Sequence, residues 1–154
     1  MKKVLFICTG NTCRSPMAEA IFNKMLQDRE PSSHEIKSAS AGLYALDNAE
    51  ATPQAIEVMR NVGIDLSQHR SRSVDEKMLQ EVDLILTMTR HHCHQLQESF
   101  PHVQHKVYTL AEYAGLPEED VSDPYGQDTE AYRSARQQIE SFLKRIINQG
   151  DIFS

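Results

Sequence analysis

The residues best equipped for chemistry stand together near the start of the chain, in the string Cys8-Thr9-Gly10-Asn11-Thr12-Cys13-Arg14-Ser15-Pro16. A thiol attacks as its thiolate, and helix N-termini and nearby cations favour that anion. Arg14 would offer a fixed fork of donors to two oxygens of a tetrahedral oxyanion. Ser15 can give a hydroxyl hydrogen bond to the Cys8 sulfur, helping it stay a thiolate and later leave. Gly10 and Asn11 are residue types that tolerate the left-handed backbone of a tight anion-binding nest. In such a nest the amides from Thr9, Gly10, Asn11, Thr12 and Cys13 on to Ser15 point inward.

Attack by a thiolate on a phosphoryl group expels a poor leaving group, so a proton donor is needed on the far side. A carboxylic acid on a loop, able to reach over the pocket mouth, would serve. Asp123-Pro124-Tyr125-Gly126 supplies one, with proline stiffening the loop and Tyr125 forming a wall beside the substrate. On local sequence alone an ordinary Asp-Pro turn is the better reading of the same residues. Glu118, Glu119 and Asp120 read as solvated charge. His91, His92, Cys93 and His94 look like ligands on paper, but on a helix only His91 and His94 share a face. They are read as a solvated helix face, and no metal site or cofactor is expected.

These residues must be positioned by the elements around them. Val4 to Ile7 form an apolar run that fits a buried strand of a parallel sheet. Pro16 suits the first turn of a helix, and Met17, Ala20, Ile21, Phe22, Lys24 and Met25 continue at mostly helical spacing. Strand, loop and helix N-terminus together make an anion site. Downstream, Asp28-Arg29-Glu30-Pro31-Ser32-Ser33 reads as a turn and residues 36–41 as a short strand. Thr52 caps a helix that starts at Pro53, with Gly63 placed to end it. A short helix is expected near 74–79, a strand over 82–88, a helix over 90–100 and a strand over 107–110. A long amphipathic helix follows over 129–147, with Tyr132, Ala135, Ile139, Phe142, Leu143 and Ile146 on one face. Alternating strands and helices predict an α/β three-layer sandwich, with a mostly four-stranded parallel sheet flanked by helices.

The chain of 154 residues fits a single domain over residues 1–154. Its formal charge of −6 argues against nucleic acid or an anionic membrane as partner. No apolar run approaches a membrane span, and no signal-peptide pattern opens the chain, so cytoplasmic residence and a monomer are expected. Three cysteines make no disulfide framework and fit a reducing compartment.

The loop string resembles the signature of the low-molecular-weight protein-tyrosine phosphatases, and the likeness extends over almost the whole chain. That family places its general acid in a similar Asp-Pro-aromatic element before the last helix, which implies Asp123 as acid beside Cys8 as nucleophile and Arg14 as oxyanion clamp. The resemblance also makes Ser40 and His69 partners of Asn11 that brace the loop. It implies that Cys13 can form a reversible disulfide with Cys8. One departure bears on substrate. Many tyrosine-directed members read Cys-Leu-Gly-Asn-Ile-Cys-Arg-Ser, whereas this chain has Thr9 and Thr12. An isoleucine at the second site packs against a phenyl ring, while a threonine offers a hydroxyl to a polar guanidinium. The Thr-Gly-Asn-Thr version is similar to the bacterial protein-arginine phosphatases, as are Ala51-Thr52-Pro53 and Asp123-Pro124-Tyr125-Gly126. Phosphoarginine in proteins is thus the preferred substrate class, with Tyr44 and Tyr125 as pocket walls and phosphotyrosine the alternative. An arsenate reductase would need a relay of thiols around residues 88–94, where only Cys93 stands. A phospho-binding module would be expected to have lost Cys8, Arg14 or Asp123.

Overall fold

A computed structural model describes residues 2–29 and 35–153. Of the turn expected over 28–33, residues 30–33 lie outside the described residues. The chain runs β1 (Lys2–Cys8), α1 (Arg14–Gln27), β2 (Ile36–Gly42), α2 (Pro53–Arg60), α3 (Glu76–Glu81), β3 (Leu84–Thr87) and α4 (Arg90–Ser99). After a 3₁₀ turn at Pro101–Lys106 come β4 (Val107–Thr109), α5 (Leu110–Tyr113) and α6 (Thr129–Gln149). Among the described residues the strands form one four-stranded sheet in the order β2-β1-β3-β4. Every pairing in it is parallel.

The apolar run of β1 is buried on both faces, and its alternating side chains serve two cores. Val4 and Phe6 face a cluster that includes Met17 and Phe22 of α1, Val58 and Met59 of α2, and Tyr132, Ile139 and Leu143 of α6. Phe22 meets Phe6 edge to face, with ring centroids 5.5 Å apart; such pairs contribute about 0.5–1.5 kcal/mol beyond area burial. Leu5 and Ile7 point the other way, toward Leu79 of α3 and Cys93 and Leu96 of α4. The result is the expected three-layer sandwich. The predicted apolar stripe of α6 is buried as read, and Arg136 on that helix donates to the Val58 carbonyl at 2.7 Å, tying it to α2.

Strand order places the site. From β1 the chain crosses to β2 on one side and later to β3 on the other, so the carboxyl end of β1 is the topological switch point where such sheets bind ligands. Gly42, at the end of β2, lets the strand approach the loop after β1. A Cβ there would stand 2.5 Å from the Thr9 carbonyl oxygen.

Boundaries differ from the sequence reading in a few places. Helix α2 stops at Arg60 and the chain then turns, with Gly63 at φ 79 and the Ile64 amide bonded back to the Met59 carbonyl. Strand β3 begins at Leu84, because Asp83 is committed to the Lys3 amide and carbonyl at the sheet's lower end. The run 107–110 divides between β4 and α5, since Thr109 and Glu112 form a capping box that starts a helix at Leu110.

Candidate active site

The loop between β1 and α1 curls around the amide end of α1. That helix begins at Arg14, with Cys13 at its N-cap, so Arg14 and Ser15 occupy the first turn. Of the two residues expected to tolerate a left-handed backbone, only Asn11 adopts one, at φ 56. Gly10 is not needed for that purpose, and a Cβ there would meet nothing closer than 3.7 Å. Asparagine holds the strained position because its side chain is fully committed. Asn11 Nδ2 donates to Ser15 Oγ at 2.8 Å and to Ser40 Oγ at 3.0 Å. Asn11 Oδ1 accepts from the Arg72 amide at 3.0 Å, and its carbonyl lies 2.7 Å from His69 Nε2. Ser40 in turn donates to Glu19 Oε1 at 2.7 Å. The two bracing residues anticipated from the sequence therefore meet Asn11, and the structure adds Arg72 and Glu19. Arg72 reaches Asn11 through its backbone, which leaves no trace in residue type, and its Nε donates to the Ser40 carbonyl at 3.1 Å.

Cys8 is buried at the loop's floor, with Sγ 2.9 Å from Ser15 Oγ. Because Asn11 already donates to that hydroxyl oxygen, the Ser15 proton goes either to sulfur or to the Ala41 carbonyl, 3.5 Å away. Cys13, five positions on, has its thiol pushed up to about 12 by burial and by Cys8, so it stays protonated and does not compete as a nucleophile. Both thiols are free.

Arg14 is 4% exposed, a buried cation that needs partners. Nη1 donates to the Val121 carbonyl at 3.0 Å, and Nη2 lies 3.6 Å from Asp123 Oδ2. Nε is buried with no partner. A buried guanidinium N–H left open beside a nucleophilic sulfur fits an oxyanion site. The loop that carries Asp123 is pinned below and open above. The Val121 amide bonds the Met88 carbonyl at 2.9 Å, and the Arg90 amide donates to Asp120 Oδ1 at 2.9 Å. Asp120 thus fastens this loop to α4 and is not merely solvated charge, whereas Glu118, 3.7 Å from Arg90 and almost fully exposed, is solvated as read. The Asp123 carboxyl itself is largely exposed, over the mouth.

These groups converge on one pocket of about 600 Å³, lined by Cys8, Thr9, Thr12, Arg14, Asp123 and, on its walls, Tyr44 and Tyr125. Thr12 is held there by the Thr52 amide, which donates to its carbonyl at 2.9 Å. Among the described residues no group of three or more His, Cys, Asp or Glu is placed to hold a metal ion. None of the helices described is long and apolar enough to cross a membrane.

Of the helix face at His91–His94, His91 and His94 are exposed as expected, while the two residues between them turn inward. His92 and Cys93 are buried, at 3% and 7% exposure, and His92 Nε2 lies 2.8 Å from Thr9 Oγ1 in the loop. The available signal was Thr89, whose side chain caps α4 by accepting from the His92 amide; setting the helix start there turns residue 92 inward. Burial first, then Arg14 and His91, push the His92 imidazole down to about 4, against Asp123 and Asp120, which raise it. The ordinary value is 6.5. Between about pH 6.5 and 4 the unfolded chain binds a proton that the folded chain refuses, so stability falls as pH drops through that window. Denaturant unfolding at stepped pH should show a steeper loss of stability through this window in the wild type than in His92→Gln. Equal slopes would contradict the assignment.

Comparison with known proteins agrees with this geometry. Residues 3–150 match the family described as low molecular weight phosphotyrosine protein phosphatase. The chain belongs to this family. A protein-arginine-phosphatase of Bacillus subtilis is 38% identical over 146 residues, covering 95% of each chain. A probable low molecular weight protein-tyrosine-phosphatase, EpsP, of Ralstonia nicotianae is 34% identical, covering 91% of this chain and 90% of that protein. Among solved structures, the arginine phosphatase YwlE carrying a phosphorylated active-site serine superposes with a TM-score of 0.88 at 35% identity. That alignment covers 96% of this chain and 94% of the other. The phosphatase fold expected from the sequence is therefore the fold of this family.

Proposed function

We propose that this low-molecular-weight phosphatase hydrolyses phosphoarginine in proteins through a phosphocysteine at Cys8. The observation that carries the reading is the meeting, in one pocket, of a buried thiol, an open buried guanidinium N–H and an overhanging carboxyl. Cys8 Sγ attacks phosphorus while Arg14 and the loop amides hold the three oxygens. The phosphorus–nitrogen bond breaks, its electron pair stays on the guanidine nitrogen, and Asp123 gives that nitrogen a proton. Asp123 then takes a proton from water as the water attacks phosphocysteine. The sulfur leaves into the hydrogen bond from Ser15, and phosphate departs. Ser40 and His69 keep Asn11, and with it the loop, in its strained form. Asp123 also faces the positive guanidinium that forms on protonation, a role phenol does not call on.

Preference for arginine over tyrosine rests on Thr12, which lines the pocket where a hydroxyl can meet a guanidinium, and on the likeness to the B. subtilis protein-arginine-phosphatase. The likeness to proteins named tyrosine phosphatases keeps phosphotyrosine as the second reading. One group changed in a pocket shifts selectivity by roughly 10–200-fold. Matched phosphoarginine and phosphotyrosine peptides should show wild-type kcat/KM in favour of phosphoarginine, and Thr12→Ile should move the ratio toward phosphotyrosine by at least about tenfold. A wild-type preference for phosphotyrosine would overturn the arginine reading while leaving the phosphatase intact. The enzyme is read as one domain over 1–154, since both cores share one sheet, and as a cytoplasmic monomer acting on phosphorylated proteins; its free thiols suit a reducing compartment.

A further inference from the structure

His92 plays no part in the steps above, yet it is built into the loop. It stands in the first turn of α4, fixed by the Thr89 cap, with Nε2 2.8 Å from Thr9 Oγ1 and Nδ1 buried without a partner. A neutral imidazole has one N–H and one lone pair. A proton on Nδ1 would leave a buried donor unpaired, whereas an unpaired buried acceptor is better tolerated. The hydrogen therefore belongs on Nε2, where it is donated to Thr9 Oγ1. A threonine oxygen that accepts in this way keeps its own O–H as a donor for something else. Thr9 lines the pocket next to Cys8 and Arg14, and its backbone is fixed by the Tyr44 amide, which bonds its carbonyl at 3.0 Å.

We propose that His92 is a positioning residue: its Nε2–H holds Thr9 Oγ1 as an acceptor, which turns the Thr9 hydroxyl proton into the pocket to donate to an oxygen of the bound phosphoryl group. The inference rests on the phosphatase reading for the identity of the natural ligand. It also gives threonine at position 9 a reason, since an aliphatic residue there would leave His92 Nε2 with nothing to donate to.

The test uses inorganic phosphate as the probe, so it does not depend on turnover or on which phosphorylated residue is the substrate. Phosphate binding is measured by calorimetry on wild type, Thr9→Val, His92→Met, the double variant and His92→Gln. Losing one hydrogen bond to an anion should weaken binding about tenfold or more. Thr9→Val and His92→Met should each show that loss, and the double variant should be no weaker than either, because the two residues act as one device. His92→Gln, whose amide nitrogen reaches the place of Nε2, should return affinity to within about twofold of wild type. A purely structural histidine would instead give additive losses and no rescue by glutamine. Additive losses, a glutamine variant as weak as methionine, or Thr9→Val binding phosphate like wild type would each overturn the proposal. Thr9 is exposed, so its variant stays folded even if His92→Met does not. If phosphate binding behaves as expected while no phosphorylated peptide is turned over, it is the phosphatase reading that fails.

Discussion

Replacing Cys8 with serine is expected to remove turnover altogether, lowering kcat by at least about 10⁴. A serine hydroxyl is far less ionised than a thiol, and Asp123 acts on the leaving-group side of the phosphoryl group, not on the nucleophile. Ser15 Oγ lies 2.9 Å from Sγ, placed to serve a sulfur leaving group, and the phosphorylated-serine structure shows that a serine in YwlE's active site can carry the phosphoryl group. The variant should still bind inorganic phosphate, because Arg14 and the loop amides are untouched. Steady-state assay together with calorimetry reads both halves. Turnover within tenfold of wild type would mean that Cys8 is not the nucleophile.

Asp123→Asn is the second large effect. Loss of a general acid costs about 10²–10⁴ in rate, and the loss should scale with the basicity of the leaving group. It should be greatest for phosphoarginine peptides and smallest for p-nitrophenyl phosphate, whose phenolate departs with little help. Phosphate binding should hold or tighten, because a negative charge 3.6 Å from Arg14 Nη2 is removed. Equal losses on both substrates would assign Asp123 to positioning Arg14 instead of to proton transfer.

What the sequence made legible follows a physical line. Features carried by residue type and spacing were readable: the buried run of β1, the cap at Thr52, the stripe of α6, and the grouping of Cys8, Arg14 and Ser15 by a single turn of chain. The partners of Asn11 came through resemblance, because Ser40 and His69 lie far away in sequence and meet it only once β2 and the following loop pack beside β1. Contacts made by backbone groups stayed hidden. The Val121 carbonyl on Arg14 and the Arg72 amide on Asn11 could have been offered by any residue type. His92 was hidden for another reason. His92 and Cys93 share one buried face of α4 with Leu96, while Arg90, His91 and His94 stay exposed, so reading the four residues together as one solvated face misassigns two of them. Gly10 shows the limit of composition, since the left-handed position fell to its neighbour Asn11, which has hydrogen bonds to hold it there.

The most direct measurement is intact-mass analysis of the wild-type enzyme quenched within the first turnover of a phosphoarginine peptide. The account predicts one phosphoryl adduct, mapped to Cys8, formed from phosphoarginine and missing in Cys8→Ala. An adduct that forms from a matched phosphotyrosine peptide while phosphoarginine yields neither adduct nor free phosphate would contradict it.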